Sequence, residues 1–315
     1  CRQIARYAPA KLVLFEQSEL ALYAMEQELP QRYPGMQIVP VIGDAKNAAW
    51  VNQVMAAQRP GVVFHAAAYK HVPLMENANA WEAVRNNVLG TQVVAAASQA
   101  NGVAKFVMIS TDKAVNPTNV MGATKRLAEM TCQAMQQASG TRFVSVRFGN
   151  VLGSSGSVIP KFQKQIEAGG PVTVTHPDIT RYFMSIPEAA QLVLQAGLMG
   201  EGGEIFVLDM GEPVKIAELA KLMIRLSGAD ENRIRIDYTG LRPGEKLYEE
   251  LLADDESTLP TPHPKLRVAQ ARAADAAWLA ACMTWLDGNG LHDEATVKRQ
   301  LKAWVPEYQP ESGMS

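Results

Sequence analysis

The amino-acid sequence predicts an α/β protein: a doubly wound, parallel sheet with a smaller α/β lobe behind it. Short apolar runs recur along the first half, each separated from the next by a helical stretch of crossover length. Those runs are apolar almost throughout rather than alternating, as strands are when both sheet faces are covered. After Asn150 the texture changes to a Gly/Ser loop at 153–157 and shorter mixed elements. The expected division is therefore 1–150 for the sheet lobe and 151–315 for a second lobe with C-terminal helices.

In chain order, 1–7 has a helical pattern with Ile4 on its apolar side. A strand at 11–16 ends in Glu16, a helix spans 18–29, and 30–35 breaks at Pro30 and Gly35. The pattern repeats as strand 37–44, helix 46–58 and a stop at Pro60-Gly61, then strand 62–68, which ends in small residues. A helix over 81–99 leads to strand 105–109, and a helix over 119–137 leads to strand 143–148. Beyond Asn150, strands are expected at 171–175 and 205–209, helices at 187–198 and 215–226, a proline-containing loop at 254–264, and helices at 274–286 and 292–304. No internal repeat is visible.

With 47% hydrophobic residues the 315-residue chain has enough apolar material for a sizeable core, and a net charge of −2 gives no global field for nucleic acid. No apolar run approaches the ~18 residues of a membrane-spanning helix, and no signal-peptide pattern opens the chain. Three widely spaced cysteines fit neither a disulfide framework nor a zinc site, which favours a reducing, cytosolic setting.

The chemistry concentrates at 110–125. Ser110, Thr111, Asp112 and Lys113 stand where the buried strand 105–109 ends, and ligands in open α/β sheets bind beyond such ends. Asn119 can cap the following helix, on which Met121 and Lys125 share a face four residues apart. An acid beside an amine offers a paired proton donor and acceptor; the alternative is a turn-shaping Asp beside a solvated Lys. Glu16 occupies the strand end where a dinucleotide fold places the acid that accepts from the adenosine ribose, favouring NAD over NADP, although an ordinary acid before a helix explains it equally well. Asp44, one strand on, can reach an adenine or simply shape its turn. His65 reads as a core histidine, Lys70 as a cleft or loop lysine. His71 has no neighbour at metal-ligand spacing, so no metal site is expected. Arg181 and Arg242 are forks suited to diphosphate oxygens, or ordinary surface arginines.

Taken together, the segments 65–73, 110–125, 147–158, 180–190 and 241–252 resemble the polysaccharide-biosynthesis nucleotide-sugar 4,6-dehydratases of the extended short-chain dehydrogenase/reductase superfamily. The pairing of Ser110-Thr111-Asp112-Lys113 with Leu241-Arg242-Pro243-Gly244-Glu245-Lys246 is specific, and the resemblance covers 1–252. It implies a Rossmann-like NAD(P) lobe and conversion of UDP-N-acetylglucosamine to a UDP-linked 4-keto-6-deoxy sugar without net redox. Lys113 is then the C5 base, Asp112 the acid at C6, Thr111 a hydrogen-bonding partner near C4, and Lys125 the lysine that orients the nicotinamide ribose. Ala66 and Ala67 join Glu16, Asp44 and Lys125 on the NAD side. Lys70, Asn150, Ser157, Arg181, Arg242 and Glu245 fall to the substrate. Met121 departs from the superfamily's tyrosine base, and methionine takes no proton, which leaves Asp112 or a held water for the C4 hydroxyl. The Met variant resembles long, membrane-anchored members that retain C5 configuration, so the first strand and its glycine loop are expected upstream of Cys1, in a longer protein with a cytosolic catalytic domain and a homo-oligomeric state. A UDP-sugar epimerase on the same scaffold and a non-catalytic nucleotide-binding module are the alternatives.

Overall fold

The computed structural model describes residues 1–138, 140–154, 156–228, 233–253, 257–288 and 292–310. Ser155 of the Gly/Ser loop and 254–256 of the expected proline-containing loop lie outside them.

At the centre is a six-stranded sheet in the order Thr258–Pro260, Leu266–Ala269, Ile205–Leu208, Arg142–Arg147, Lys105–Ile109, Val62–His65. The last four of these run parallel, and the first two pair antiparallel. Lys105–Ile109 is interior, with Phe106, Val107 and Met108 fully buried, which is why its sequence shows no alternation. Ile205–Leu208, read as part of the second lobe, lies beside Arg142–Arg147 in the central sheet, with all four residues buried. Residues 258–260, read as loop, form an outer strand, a position where Pro260 removes no needed ladder donor.

Lys11–Glu16 and Gln37–Ile42 form a separate parallel pair. The helix Glu19–Arg32 continues through Pro30, where a break was expected. Leu29 is fully buried in a cluster with Leu12, Leu14 and Leu22, and that packing holds the last turn despite the lost backbone donor.

The predicted helix 81–99 is divided by a π-helical turn, Arg85–Leu89, which carries Asn86, Asn87 and Val88 into the interior. In the second lobe, helices Val158–Glu167 and Ile216–Leu226 close over small sheets around Phe162, Val174, Ile179 and Ile224. Helices Ala276–Leu286 and Glu294–Trp304 pack against Val120–Met135, sharing a core with Val120, Met121 and Leu127. No helix among the described residues is long and apolar enough to cross a membrane.

Candidate active site

The chain leaves the central strand without leaving its neighbour. Ser110 N–H donates to the Val146 carbonyl (2.7 Å) and Asp112 N–H to that of Phe148 (3.0 Å), after which Asp112–Ala114 turns as a 3₁₀ helix. Thr111 accepts from Lys113 N–H through its hydroxyl oxygen (3.3 Å), capping that turn, and donates to Asp112 Oδ1 (2.9 Å). Lys113 Nζ lies 3.0 Å from Asp112 Oδ1 and 3.3 Å from Glu249 Oε1, with Asn150 Oδ1 at 3.5 Å. Burial works against the Lys113 ammonium, but the two carboxylates outweigh it and hold the amine's pKa above its ordinary value. Asp112 is 1% exposed and sits behind Thr111 and Lys113, which line the cleft, while its Oδ2 finds no hydrogen-bond partner among the described residues.

The helix Val120–Met135 supplies the opposite wall. Asn119 Oδ1 caps it by accepting from Gly122 N–H (2.7 Å). Gly122 is needed for a close approach, since a Cβ there would lie 2.0 Å from the Lys113 carbonyl oxygen. Met121 and Lys125, one turn apart and each 4% exposed, both face the cleft. Burial lowers the Lys125 amine to about 8, with the Glu129 charge acting in the other direction. One turn further on, buried Glu129 accepts from Ser110 Oγ (2.7 Å) and from Arg147 through Nε (2.8 Å) and Nη2 (2.7 Å), and Arg126 Nη1 adds a contact at 3.2 Å. One carboxylate thus ties the ends of two strands to the helix bearing Lys125.

Asn87, on the π turn, fixes the loop after Val62–His65. It accepts from Tyr69 N–H (2.8 Å) and donates to the Tyr69 carbonyl (3.0 Å) and to Thr124 Oγ1 (2.9 Å). His65 is a core histidine as read, with Nε2 3.0 Å from Thr91 Oγ1; burial, and then the Lys125 charge, push its pKa down to about 3. Among the described residues no cluster of three metal-ligating side chains occurs.

These walls enclose a cleft of about 470 Å³ between the central sheet and the second lobe. Ala66, Lys70, Asn150, Ser157, Arg181, Arg242 and Glu245 all line it. Arg181 differs from the free fork expected. Its guanidinium donates to the carbonyls of Thr180 (2.7 Å), Lys246 (2.9 Å) and Leu247 (3.3 Å) and lies 3.5 Å from Glu245 and 3.6 Å from Glu249, so it braces the loop carrying Arg242. Arg242 is the exposed guanidinium, paired with Glu245 at 3.1 Å. Burial counts against the Glu245 charge, yet its hydrogen bonds to Arg242 hold the carboxyl below its usual range. Glu16 and Asp44 do not line this cleft. Glu16 accepts from Ser18 N–H (2.9 Å); Asp44 accepts from Lys46 N–H (2.9 Å) and pairs with its amine (3.0 Å). Ala67 is exposed beside Ala66 and does not line the cleft either.

Sequence reasoning missed Glu249 and Lys161. Lys161 lies on Val158–Glu167 and lines the cleft, its pKa lowered by burial and then by the Arg242 charge. Glu249 is buried next to an exposed twin, Glu250, and only a periodicity read across 245–252 would have hinted at which of the two turns inward.

Comparison with known proteins places the fold and the sequence among relatives. Residues 1–271 match the polysaccharide biosynthesis protein family. The capsular polysaccharide biosynthesis protein CapD of Staphylococcus aureus is 59% identical over 258 residues, 81% of this chain and 43% of that protein. The chain spans less than half the length of the first curated relatives it matches. Pen from Bacillus thuringiensis superposes with a TM-score of 0.77 at 35% identity, covering 87% of this chain and 85% of that one. DesIV of Streptomyces venezuelae, a dTDP-glucose 4,6-dehydratase solved with NAD, shares the fold with a TM-score of 0.66 at 20% identity, covering 79% of this chain and 83% of that one.

Proposed function

Because the chain belongs to the polysaccharide biosynthesis protein family, whose fold is that of the extended short-chain dehydrogenase/reductase nucleotide-sugar dehydratases and epimerases, we propose that it is a UDP-N-acetylglucosamine 4,6-dehydratase. The observation that carries this is the Asp112–Lys113 pair at the end of the central strand, 3.0 Å apart, with Lys113 and Thr111 facing the cleft. An epimerase needs no acid for a departing hydroxyl; a dehydratase needs an acid and a base on neighbouring carbons.

The residues present fit a nicotinamide dinucleotide. Lys125 is a buried amine directed into the cleft, and Ala66, just after Val62–His65, lines it with a small side chain. Glu16 ends the strand Lys11–Glu16 of the separate pair, outside the cleft, with the side-chain type of a ribose acceptor, which favours NAD. When bound, the dinucleotide supplies a reversible hydride acceptor for the sugar's C4. The chain's own residues then handle protons. Thr111 contacts the C4 hydroxyl and passes its proton to Asp112 Oδ1, the role Met121 lacks the chemistry for. Lys113 takes the proton from C5. Asp112 returns its proton through the Thr111 hydroxyl to the C6 oxygen, which leaves as water; the C4 hydride then comes back at C6 while Lys113 gives a solvent-exchanged proton back to C5. Arg242 and Lys161 hold the diphosphate, and Asn150 and Ser157 orient it. The surrounding protein is, in this reading, longer, membrane-anchored and homo-oligomeric, with C5 configuration retained.

The experiment is incubation of the NAD-loaded protein with UDP-N-acetylglucosamine in deuterium oxide. The expected product is lighter by one water and carries deuterium at C5, and Lys113→Ala abolishes both changes. A product isomeric with the substrate would replace the dehydratase by an epimerase.

A further inference from the structure

Glu249 has no part in the steps above, yet its side chain is only 3% exposed and lines the cleft. Its Oε1 lies 3.3 Å from Lys113 Nζ and 3.6 Å from Arg181 Nε, while Oε2 has no hydrogen-bond partner among the described residues. A carboxylate so removed from water is costly unless cations compensate it. Of its two cations, Arg181 is tied to three backbone carbonyls, so Glu249 is held from behind and presents a fixed negative charge to the lysine in front.

We propose that Glu249 is a positioning residue for proton abstraction: it fixes the Lys113 amine in the cleft and stabilises the positive charge that Lys113 acquires on taking the C5 proton. The inference rests on the reading of Lys113 as the C5 base. In that step the C5–H bond breaks and an N–H bond forms on Lys113. The C5–H electron pair becomes the C5–C6 double bond, and the C6 oxygen departs as water with the proton from Asp112. Only the deprotonated fraction of Lys113 can react; it turns from neutral amine to ammonium as this happens, and a preorganised anion beside it stabilises that transition state more than the neutral-amine state before it. The charged groups facing Lys113 are Asp112 from its own turn, Glu249, and Arg181 from Thr180–Arg181. Once Asp112 has taken the C4 hydroxyl proton it is neutral, so Glu249 is the anion that remains.

Two measurements on wild type, Glu249→Gln and Glu249→Asp test this. Cyanate carbamylates only the neutral amine, so the pH dependence of Lys113 modification, followed by peptide mass spectrometry, reports its titration without substrate or cofactor. Losing an adjacent opposite charge should lower the half-modification pH in Glu249→Gln by about one unit or more. Glu249→Asp, which keeps the charge, should stay near wild type and decides the question if the Gln variant does not fold. In NAD-loaded protein, deuterium wash-in at C5 should plateau roughly tenfold lower in Glu249→Gln with its half-maximum at lower pH, the behaviour of a weaker base, and with KM little changed. An unmoved titration, or a rise in KM alone, would overturn the inference and leave Glu249 as a brace for Arg181. If wild type itself washes in no deuterium at C5, the dehydratase reading fails, and the inference about abstraction with it. A carbamylation shift in that case would still show that Glu249 holds the Lys113 charge.

Discussion

Asn119 grips Gly244. Its side-chain nitrogen donates to the Gly244 carbonyl at 3.0 Å while its oxygen caps Val120–Met135 through Gly122 N–H at 2.7 Å. One amide therefore couples the helix bearing Met121 and Lys125 to the loop bearing Arg242 and Glu245. Gly244 permits the approach, since it has a φ of +73° and a Cβ there would stand 2.7 Å from Asn119 Cβ.

Asn119→Asp keeps the capping oxygen and loses the donor; Asn119→Ala loses both. The Ala variant should lose about 1 kcal/mol of stability, measured by urea unfolding, and the Asp variant more, because its buried carboxylate faces the Gly244 carbonyl oxygen. Both should show a raised KM for the UDP-sugar. A KM unchanged in the Asp variant would mean that the loop does not depend on this bond.

Gly122→Ala should damage the site without removing any functional group. The added methyl would overlap the Lys113 carbonyl, so the 3₁₀ turn must move away from the helix. Overpacking of this kind costs about 1–3 kcal/mol. The fall in kcat should exceed tenfold, about what 1.4 kcal/mol in the barrier gives. Retention of wild-type kcat would show that the turn accommodates the methyl without displacing Lys113.

Arg242→Ala should weaken UDP-sugar binding far more than it slows bound-state chemistry. A lost charged hydrogen bond costs about 1.5–3 kcal/mol, here expressed in KM. Calorimetry with UDP alone should show the same loss, and Lys161→Ala a smaller one. A large fall in kcat at constant KM would move Arg242 to the reacting end of the cleft.

Lys125 is held at about 8, below its ordinary 10.5, so the unfolded chain binds this proton more tightly than the folded one. The penalty of burying the ammonium is therefore full below pH 8 and fades as pH rises from 8 toward 10.5. Lys125→Met should raise stability near neutrality by up to roughly 3 kcal/mol, with the gain shrinking at alkaline pH in urea titrations, while NAD affinity falls. In wild type, NAD affinity should decline as pH rises through about 8, where the amine loses its charge. A Met variant less stable than wild type near neutrality would mean that the amine's contacts outweigh its desolvation.

Asp112→Asn removes both the acceptor for the C4 proton and the donor for C6, so neither deuterium wash-in at C5 nor water loss is expected. General acid–base groups contribute ~10²–10⁴-fold, within reach of mass-spectrometric detection. Wash-in that survives while water loss stops would confine Asp112 to C6 and assign the C4 proton to another group.

The order of strands and helices through 148, and the clustering of Thr111, Lys113, Met121 and Lys125, were legible in the sequence because they depend on local rules. Apolar runs of strand length, a capping Asn and a four-residue helical spacing act within a few residues of themselves. What only the tertiary structure decided depends on partners distant along the chain. Ile205–Leu208 reads as an apolar strand in any setting, and its place in the central sheet follows from pairing with Arg142–Arg147. Thr258–Pro260 has a loop-like composition and becomes a strand because Leu266–Ala269 offers it a ladder. Arg181 and Arg242 look alike in sequence, yet backbone carbonyls hold one while the other stays exposed. Glu249 and Glu250 are adjacent and identical in type; only the fold turns Glu249 toward Lys113, 136 positions earlier in the chain, because a buried ammonium and a buried carboxylate are stable together where neither is stable alone.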